Sequence, residues 1–371
     1  MPKATGSTNE SFPVGFVLLG YSEFPQLEMV LFWIVIFLYT MIILSNVTII
    51  LLSYMNPQLY TPMYFFLSNL SFLDLCFTTT VVPQMLFNLW GPDKSITYTG
   101  CIIQLGMVLC VGVTQGVMLV VMAFDRYVAI CQPLRYTIIM HPQFCWKLVL
   151  MSWLSGLIES VTQTPIIFQL PFCAHHCLDD FLCQVPSLIR LTCGDTSTPE
   201  WQMTVSAVLF TILPMGLILT SYGYIAQTLG KIQSEEGRQK AIATCSSHLT
   251  VVFMFYGTVA MVYTDPKNQF ASKHGKFVSF FFTVVTPLLN PLIYTLRNKE
   301  VKSVFQRQLR KGISIRKKRN WSFELECSQC RRSWHPLYMR VFELLLKLGG
   351  FTSKTVLYEL LFIHTICMSF L

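Results

Sequence analysis

Apolar residues fall into seven long runs, approximately 27–52, 62–87, 101–122, 148–168, 203–229, 241–263 and 277–296. A bilayer core of about 30 Å takes roughly 20 helical residues at 1.5 Å each, so every run is long enough to cross one. Hydrocarbon offers backbone amides no outside partner, and a lone segment can satisfy them only as a helix. Asn56-Pro57, Trp90-Gly91-Pro92-Asp93-Lys94, residues 231–240 and Asp265-Pro266-Lys267-Asn268 punctuate the runs. Only one connection, of about 35 residues before Met203, is long, which leaves no room for a separate soluble domain. The pattern predicts an all-α membrane protein, a seven-transmembrane helix bundle over residues 27–296.

Composition supports this. Apolar residues make up 53% of the 371 and charged ones 12%, against about 25% charged in an ordinary soluble domain. The chain cannot cover itself with charge, so a soluble enzyme is excluded. The 27 basic and 19 acidic residues leave +8, but the basic excess gathers at one end and does not indicate nucleic acid. Basic flanks stay on the cytoplasmic side. With the N-terminus outside, inner connections hold Arg126, Arg135, Lys147, Lys231, Arg238 and Lys240, followed by a basic run from Arg297 to Arg319. Lys267, Lys273 and Lys276 count against this orientation; the C-terminal run decides it. Residues 1–26 lack the charged-then-apolar pattern of a cleaved signal, so the first span is expected to be an uncleaved anchor in the plasma membrane. Asn9-Glu10-Ser11 is a glycan acceptor sequence on the expected outer face.

Ionisable groups inside hydrocarbon cost about 2.5–3.5 kcal/mol each on insertion scales, so those present call for a role. They are Asp74, the adjacent Asp125-Arg126, Glu159 and His248. Asp74 lies deep in an apolar run and should face the bundle. Asp125 and Arg126 sit where a pair could also snorkel to the membrane edge, and His248 could equally be a hydrogen-bonded interior imidazole. Asn290-Pro291 places a residue with no backbone donor inside the seventh run, where it should kink the helix. Polar intramembrane residues also mark transport paths, yet no repeat between halves and no charge-lined path is evident. No nucleotide loop or metalloprotease helix motif suggests an enzyme, and no lysine lies in 277–296 to hold retinal.

Four motifs narrow the reading: Pro62-Met63-Tyr64-Phe65-Phe66-Leu67-Ser68-Asn69-Leu70-Ser71, Met122-Ala123-Phe124-Asp125-Arg126-Tyr127-Val128-Ala129-Ile130-Cys131, Lys240-Ala241-Ile242-Ala243-Thr244-Cys245-Ser246-Ser247-His248-Leu249 and Pro287-Leu288-Leu289-Asn290-Pro291-Leu292-Ile293-Tyr294. In this order they closely resemble vertebrate olfactory receptors, over about residues 10–313. The resemblance implies a rhodopsin-like bundle in sensory cilia that binds small volatile odorants and activates a stimulatory heterotrimeric G protein to raise cyclic AMP, without a cofactor. A rhodopsin-like receptor for another ligand is the nearer alternative, a transporter or channel the more distant one.

By resemblance, Arg126 is an inner-face switch released from Asp125, with Tyr222, His248, Asn290 and Tyr294 as its moving partners. Positions matching the family's pocket are Val108, Leu109, Gly112 and Val113 on the third span, and Ser206 and Phe210 on the fifth. Tyr256, Val259, Ala260 and Tyr263 follow on the sixth, and Phe280 and Thr283 on the seventh. Glu159 departs from the family; six residues beyond Trp153, it is expected to face the pocket floor and favour basic or hydrogen-bond-donating odorants. Gln115 stands where relatives often carry an acid that joins the counterpart of Asp74 around sodium; its amide would keep an oxygen ligand but lose the charge.

Of 13 cysteines, Cys101, Cys173, Cys177, Cys183 and Cys193 lie on the expected outer face, where disulfides persist. The resemblance implies Cys101–Cys183 and Cys173–Cys193. That leaves Cys177 beside His175 and His176, too few free ligands for an expected metal site. Residues 297–315 place Val301, Val304, Phe305 and Leu309 on one stripe, predicting a juxtamembrane amphipathic helix along the inner leaflet. Residues 316–371 extend beyond the usual family length as an expected cytoplasmic tail. Cys327, Cys330 and His335 lack a fourth zinc ligand there.

Overall fold

The computed structural model describes residues 15–172, 176–263 and 273–297. Asn9, Cys173, His175, the side chain of Tyr263, residues 298–315 and the extension 316–371 lie outside the described residues. Among the described residues, seven helices are long and apolar enough to cross a membrane. They are α1 (Pro25–Met55), α2 (Pro62–Trp90), α3 (Tyr98–Cys131), α4 (Pro142–Phe168), α5 (Ser197–Leu229) and α6 (Glu235–Tyr263). The seventh, α7, comprises Lys273–Phe280, a π turn Phe281–Val285 and Thr286–Arg297.

Local chemistry sets the helix ends. Pro25, Pro62 and Pro142 occupy first-turn positions, where the missing N–H costs nothing and φ is already helical. The Thr97 hydroxyl caps α3 by accepting from the Gly100 amide at 3.0 Å. α3 therefore starts three residues before the apolar run and continues nine beyond it, through Cys131. Polar overhang of this kind is invisible to hydropathy.

Side-chain burial on α1 follows a helical stripe, Val35, Tyr39, Ile42, Asn46 and Ile49, although nearly every residue there is apolar. Its opposite face exposes Trp33 and Phe37, as α4 exposes Leu150, Leu154 and Leu157 and α5 exposes Leu209 and Leu217. Apolar surface on this scale suits hydrocarbon. Gly156 of α4 faces the Cys110 carbonyl and the Thr114 hydroxyl of α3, and a Cβ there would overlap both. A side chain of hydrogen alone lets the two helices meet backbone to backbone.

Short strands close one end of the bundle, called the outer end below. β1 (Gly15–Leu18) lies between β2 (Ser95–Thr97), antiparallel, and β3 (Cys177–Leu178), parallel. Phe16 and Leu18 turn inward with Ile96 and Leu178 onto Leu105, Ile167 and Leu188. Cys101 of α3 is disulfide-bonded to Cys183 beneath this sheet. Cys193 is also disulfide-bonded, and the Phe172–Thr192 backbone bridge draws the neighbouring segments together; its expected partner, Cys173, is outside the described residues.

Candidate functional site

At the inner end of α3, the Arg126 guanidinium pairs with Asp125 Oδ2, with Nε at 3.0 Å. The Tyr136 hydroxyl donates to Asp125 Oδ1 at 2.8 Å. Tyr136 opens a one-turn helix, Tyr136–Ile139, in the connection to α4, and no motif singles it out. Asp125 is 1% exposed and both its oxygens are occupied. Across the bundle, Tyr222 of α5 and His248 Nδ1 of α6 lie 2.9 Å apart. The Arg126 charge reaches Tyr222, His248 and the buried Tyr294. Of the expected switch residues, Asp125, Tyr222, His248 and Tyr294 thus surround one guanidinium from α3, α5, α6 and α7, with the ion pair closed, whereas Asn290 bonds to Asp74.

One layer outward, Asp74 of α2 is buried and accepts from amides. Gln115 Nε2 donates at 2.8 Å, and Asn290 Nδ2 bridges both carboxylate oxygens at 3.2 and 3.1 Å. Gln115 thus faces Asp74 with its nitrogen, as a donor. Both carboxylate oxygens receive donors, and those donors are neutral amides. Among the described residues no group of three potential metal ligands occurs.

In the outer half, a Cβ on Gly112 of α3 would meet nothing within 4 Å, whereas one on Gly116 would touch Phe255, the Tyr256 hydroxyl and the Phe210 carbonyl. Open space therefore begins one turn above a packed floor. Tyr256 contributes to that floor, since its hydroxyl donates to the Gly116 carbonyl at 2.9 Å and ties α6 to α3. Val108, Val113, Ser206, Phe210 and Val259 are half-buried, Leu109 is buried and Ala260 is exposed. Phe280 packs on the cluster between α1 and α2, and Thr283 is 2% exposed on the π turn of α7. Glu159 is buried on α4 and hydrogen-bonded with Ser206 of α5. A separate concavity of about 330 Å³ opens beside the outer loop, lined by Pro186, Arg190, Glu200 and Met203 among others, and includes none of the expected ligand positions.

Asp180, another residue the sequence did not flag, is 1% exposed under the outer loop. It accepts from the Phe181 amide at 2.7 Å and from Ser279 of α7 at 3.3 Å. Burial pushes its carboxyl up to about 7, despite those hydrogen bonds and the Lys276 charge. Lys276 itself pairs with Asp179 at 2.5 Å. On the other side, Lys94 donates to both oxygens of Glu28 at 2.7 and 2.8 Å, joining α1 to the α2–α3 connection.

A family model for olfactory receptors matches residues 35–311. The chain belongs to the olfactory receptor family. Olfactory receptor 2H1 of Homo sapiens is 56% identical over 303 residues, covering 82% of this chain and 96% of its own length. Olfactory receptor 2H2 of Homo sapiens is 54% identical, covering 83% and 98%, and olfactory receptor 2C1 of Mus musculus is 54% identical, covering 80% and 95%. As an olfactory receptor the chain is a class A G-protein-coupled receptor and a multi-pass membrane protein, and its family is not enzymatic. Its seven apolar helices and the Cys101–Cys183 disulfide accord with that membership.

Proposed function

We propose that this olfactory receptor binds small volatile odorants in the outer half of the bundle, beside Gly112, and activates a stimulatory heterotrimeric G protein that raises cyclic AMP. Its N-terminus faces outward and its working site is the membrane of sensory cilia. The reading rests chiefly on the closed Asp125–Arg126 pair, with Tyr136 on one side and Tyr222–His248 on the other. Such a cluster has two discrete arrangements, and a ligand that contacts one better than the other shifts their populations. Burial of apolar odorant surface supplies about 25 cal/mol per Å², and the floor made by Tyr256 and Phe255 defines where that contact begins. Cyclic AMP should rise in surface-expressing cells exposed to an odorant panel, and Arg126→Ala should abolish the rise. Odorant-driven signalling that survives Arg126→Ala at equal surface density would overturn the proposal, as would the absence of agonist-dependent nucleotide exchange on the stimulatory G protein.

A further inference from the structure

Glu159 and Gln163 stand four residues apart on α4, and Ser206 and Gln202 four apart on α5, so each pair shares one helical face. The two helices run in opposite directions. Since Glu159 hydrogen-bonds with Ser206, Gln163 and Gln202 both lie one turn further out. Glu159 is 6% and Gln163 2% exposed. Gln163 Nε2 and Gln202 Oε1 are buried and have no hydrogen-bond partner among the described residues. A buried polar atom left unmatched is costly, so groups of this kind ordinarily meet a ligand or water.

The same level can be located from α3. A Cβ on Gly116 would lie 3.8 Å from the Phe210 carbonyl, and α3 and α5 both descend from the outer end. Four residues outward from that contact are Gly112, which borders open space, and Ser206, which holds Glu159. A carboxylate is thus presented at the edge of the proposed odorant space, with an amide donor and an amide acceptor in the turn above it.

We infer that Glu159, Gln163, Ser206 and Gln202 form a hydrogen-bonding subsite between α4 and α5 that selects odorants carrying a hydroxyl or primary amine over those carrying only an acceptor. This deepens the proposed odorant site and rests on it. We take Glu159 as ionised, and an ionised carboxylate accepts hydrogen bonds and cannot donate them. A ketone or ether oxygen placed against it gains no hydrogen bond, while an alcohol or amine gains one to a charged group. Because the carboxylate is buried, the mismatched ligand also leaves it incompletely solvated.

The test uses full-length receptor and odorants of linear, branched, cyclic and aromatic skeletons, each as alcohol, primary amine, ketone and methyl ether. Cyclic AMP at matched surface density and thermal stabilisation of purified receptor are read in parallel. Wild type should favour alcohols and amines over ketones and ethers of the same skeleton. Glu159→Gln should shrink that preference about tenfold or more, whereas Gln163→Leu removes a donor that ketones and ethers can use and should leave the preference intact or widen it. If Glu159 merely holds α4 to α5, Glu159→Gln will weaken both ligand classes equally, and that result overturns the inference. An unchanged preference, or no stabilisation of wild type by any alcohol or amine, does so too. Donor-selective stabilisation without cyclic AMP would leave the subsite standing and defeat the signalling proposal.

Discussion

Replacing Tyr136 with Phe removes one oxygen and tests whether the inner end is held closed by more than the ion pair. In the wild type Asp125 has Arg126 on one carboxylate oxygen and the Tyr136 hydroxyl, at 2.8 Å, on the other. A hydrogen bond to a charged group contributes about 1.5–3 kcal/mol. Tyr136 is only half-buried, so water can replace part of the loss, and a net cost of about 1–1.5 kcal/mol to the closed arrangement is a reasonable working figure. Since about 1.4 kcal/mol is a factor of ten, the open-to-closed ratio should rise roughly tenfold. Starting from an open fraction of about 1%, odorant-free cyclic AMP should climb to about a tenth of the maximal response, with that maximum unchanged. The assay is basal cyclic AMP against receptor density counted at the cell surface. Basal output equal to or below wild type at matched density would refute the reasoning, because Tyr136 would then not favour the closed pair. A double-mutant cycle with Asp125→Asn checks the route: once the carboxylate is gone, Tyr136→Phe should add little.

Two further outcomes follow from the packing. Asp180 has its folded-state carboxyl pushed from 3.8 to about 7, so the folded receptor binds its proton more tightly than the unfolded chain. Its stabilising contribution is complete below about pH 4 and disappears as pH rises through 7. The melting temperature of purified receptor should therefore fall between pH 5.5 and pH 8, and Asp180→Asn should flatten that slope; Asp179, Lys276 and Tyr21 are the other titratable groups facing it, and a slope unaltered in Asp180→Asn would assign the dependence to them. Gly156→Val should separate α4 from α3, because its side chain would overlap the Cys110 carbonyl and Thr114 hydroxyl. Overpacking of this kind costs about 1–3 kcal/mol or more, so surface expression should drop severalfold, and wild-type delivery of Gly156→Val would show that the helices can part.

The membrane spans were legible because hydrocarbon imposes one rule on every residue within it, and length plus apolarity captures that rule. Where that rule ends, so did legibility. The extension of α3 to Tyr98 depends on a single hydroxyl cap at Thr97, and β3 is two residues long with a partner strand about 160 residues earlier in the chain. Motif similarity pointed to Asp125, Arg126, Tyr222, His248 and Tyr294, but not to Tyr136, which reaches Asp125 only once the connection after α3 has folded back. Gln115 shows a different limit. The residue type allowed either amide atom toward Asp74, and only the surrounding donors and acceptors select nitrogen. The π turns at Val208–Ile212 and Phe281–Val285 left no local signal, since one extra residue per turn changes register without changing apolarity.

The placement of β1 bears on how the molecule is made. Val17 pairs with Cys177, so at translation rates of about 5–20 residues per second the first strand is synthesised roughly 10–30 s before its parallel neighbour. Through that interval Phe16 and Leu18 have no finished cap to enter, so the three-stranded sheet can close over the outer end only after the long loop carrying Cys177 and Leu178 has been made.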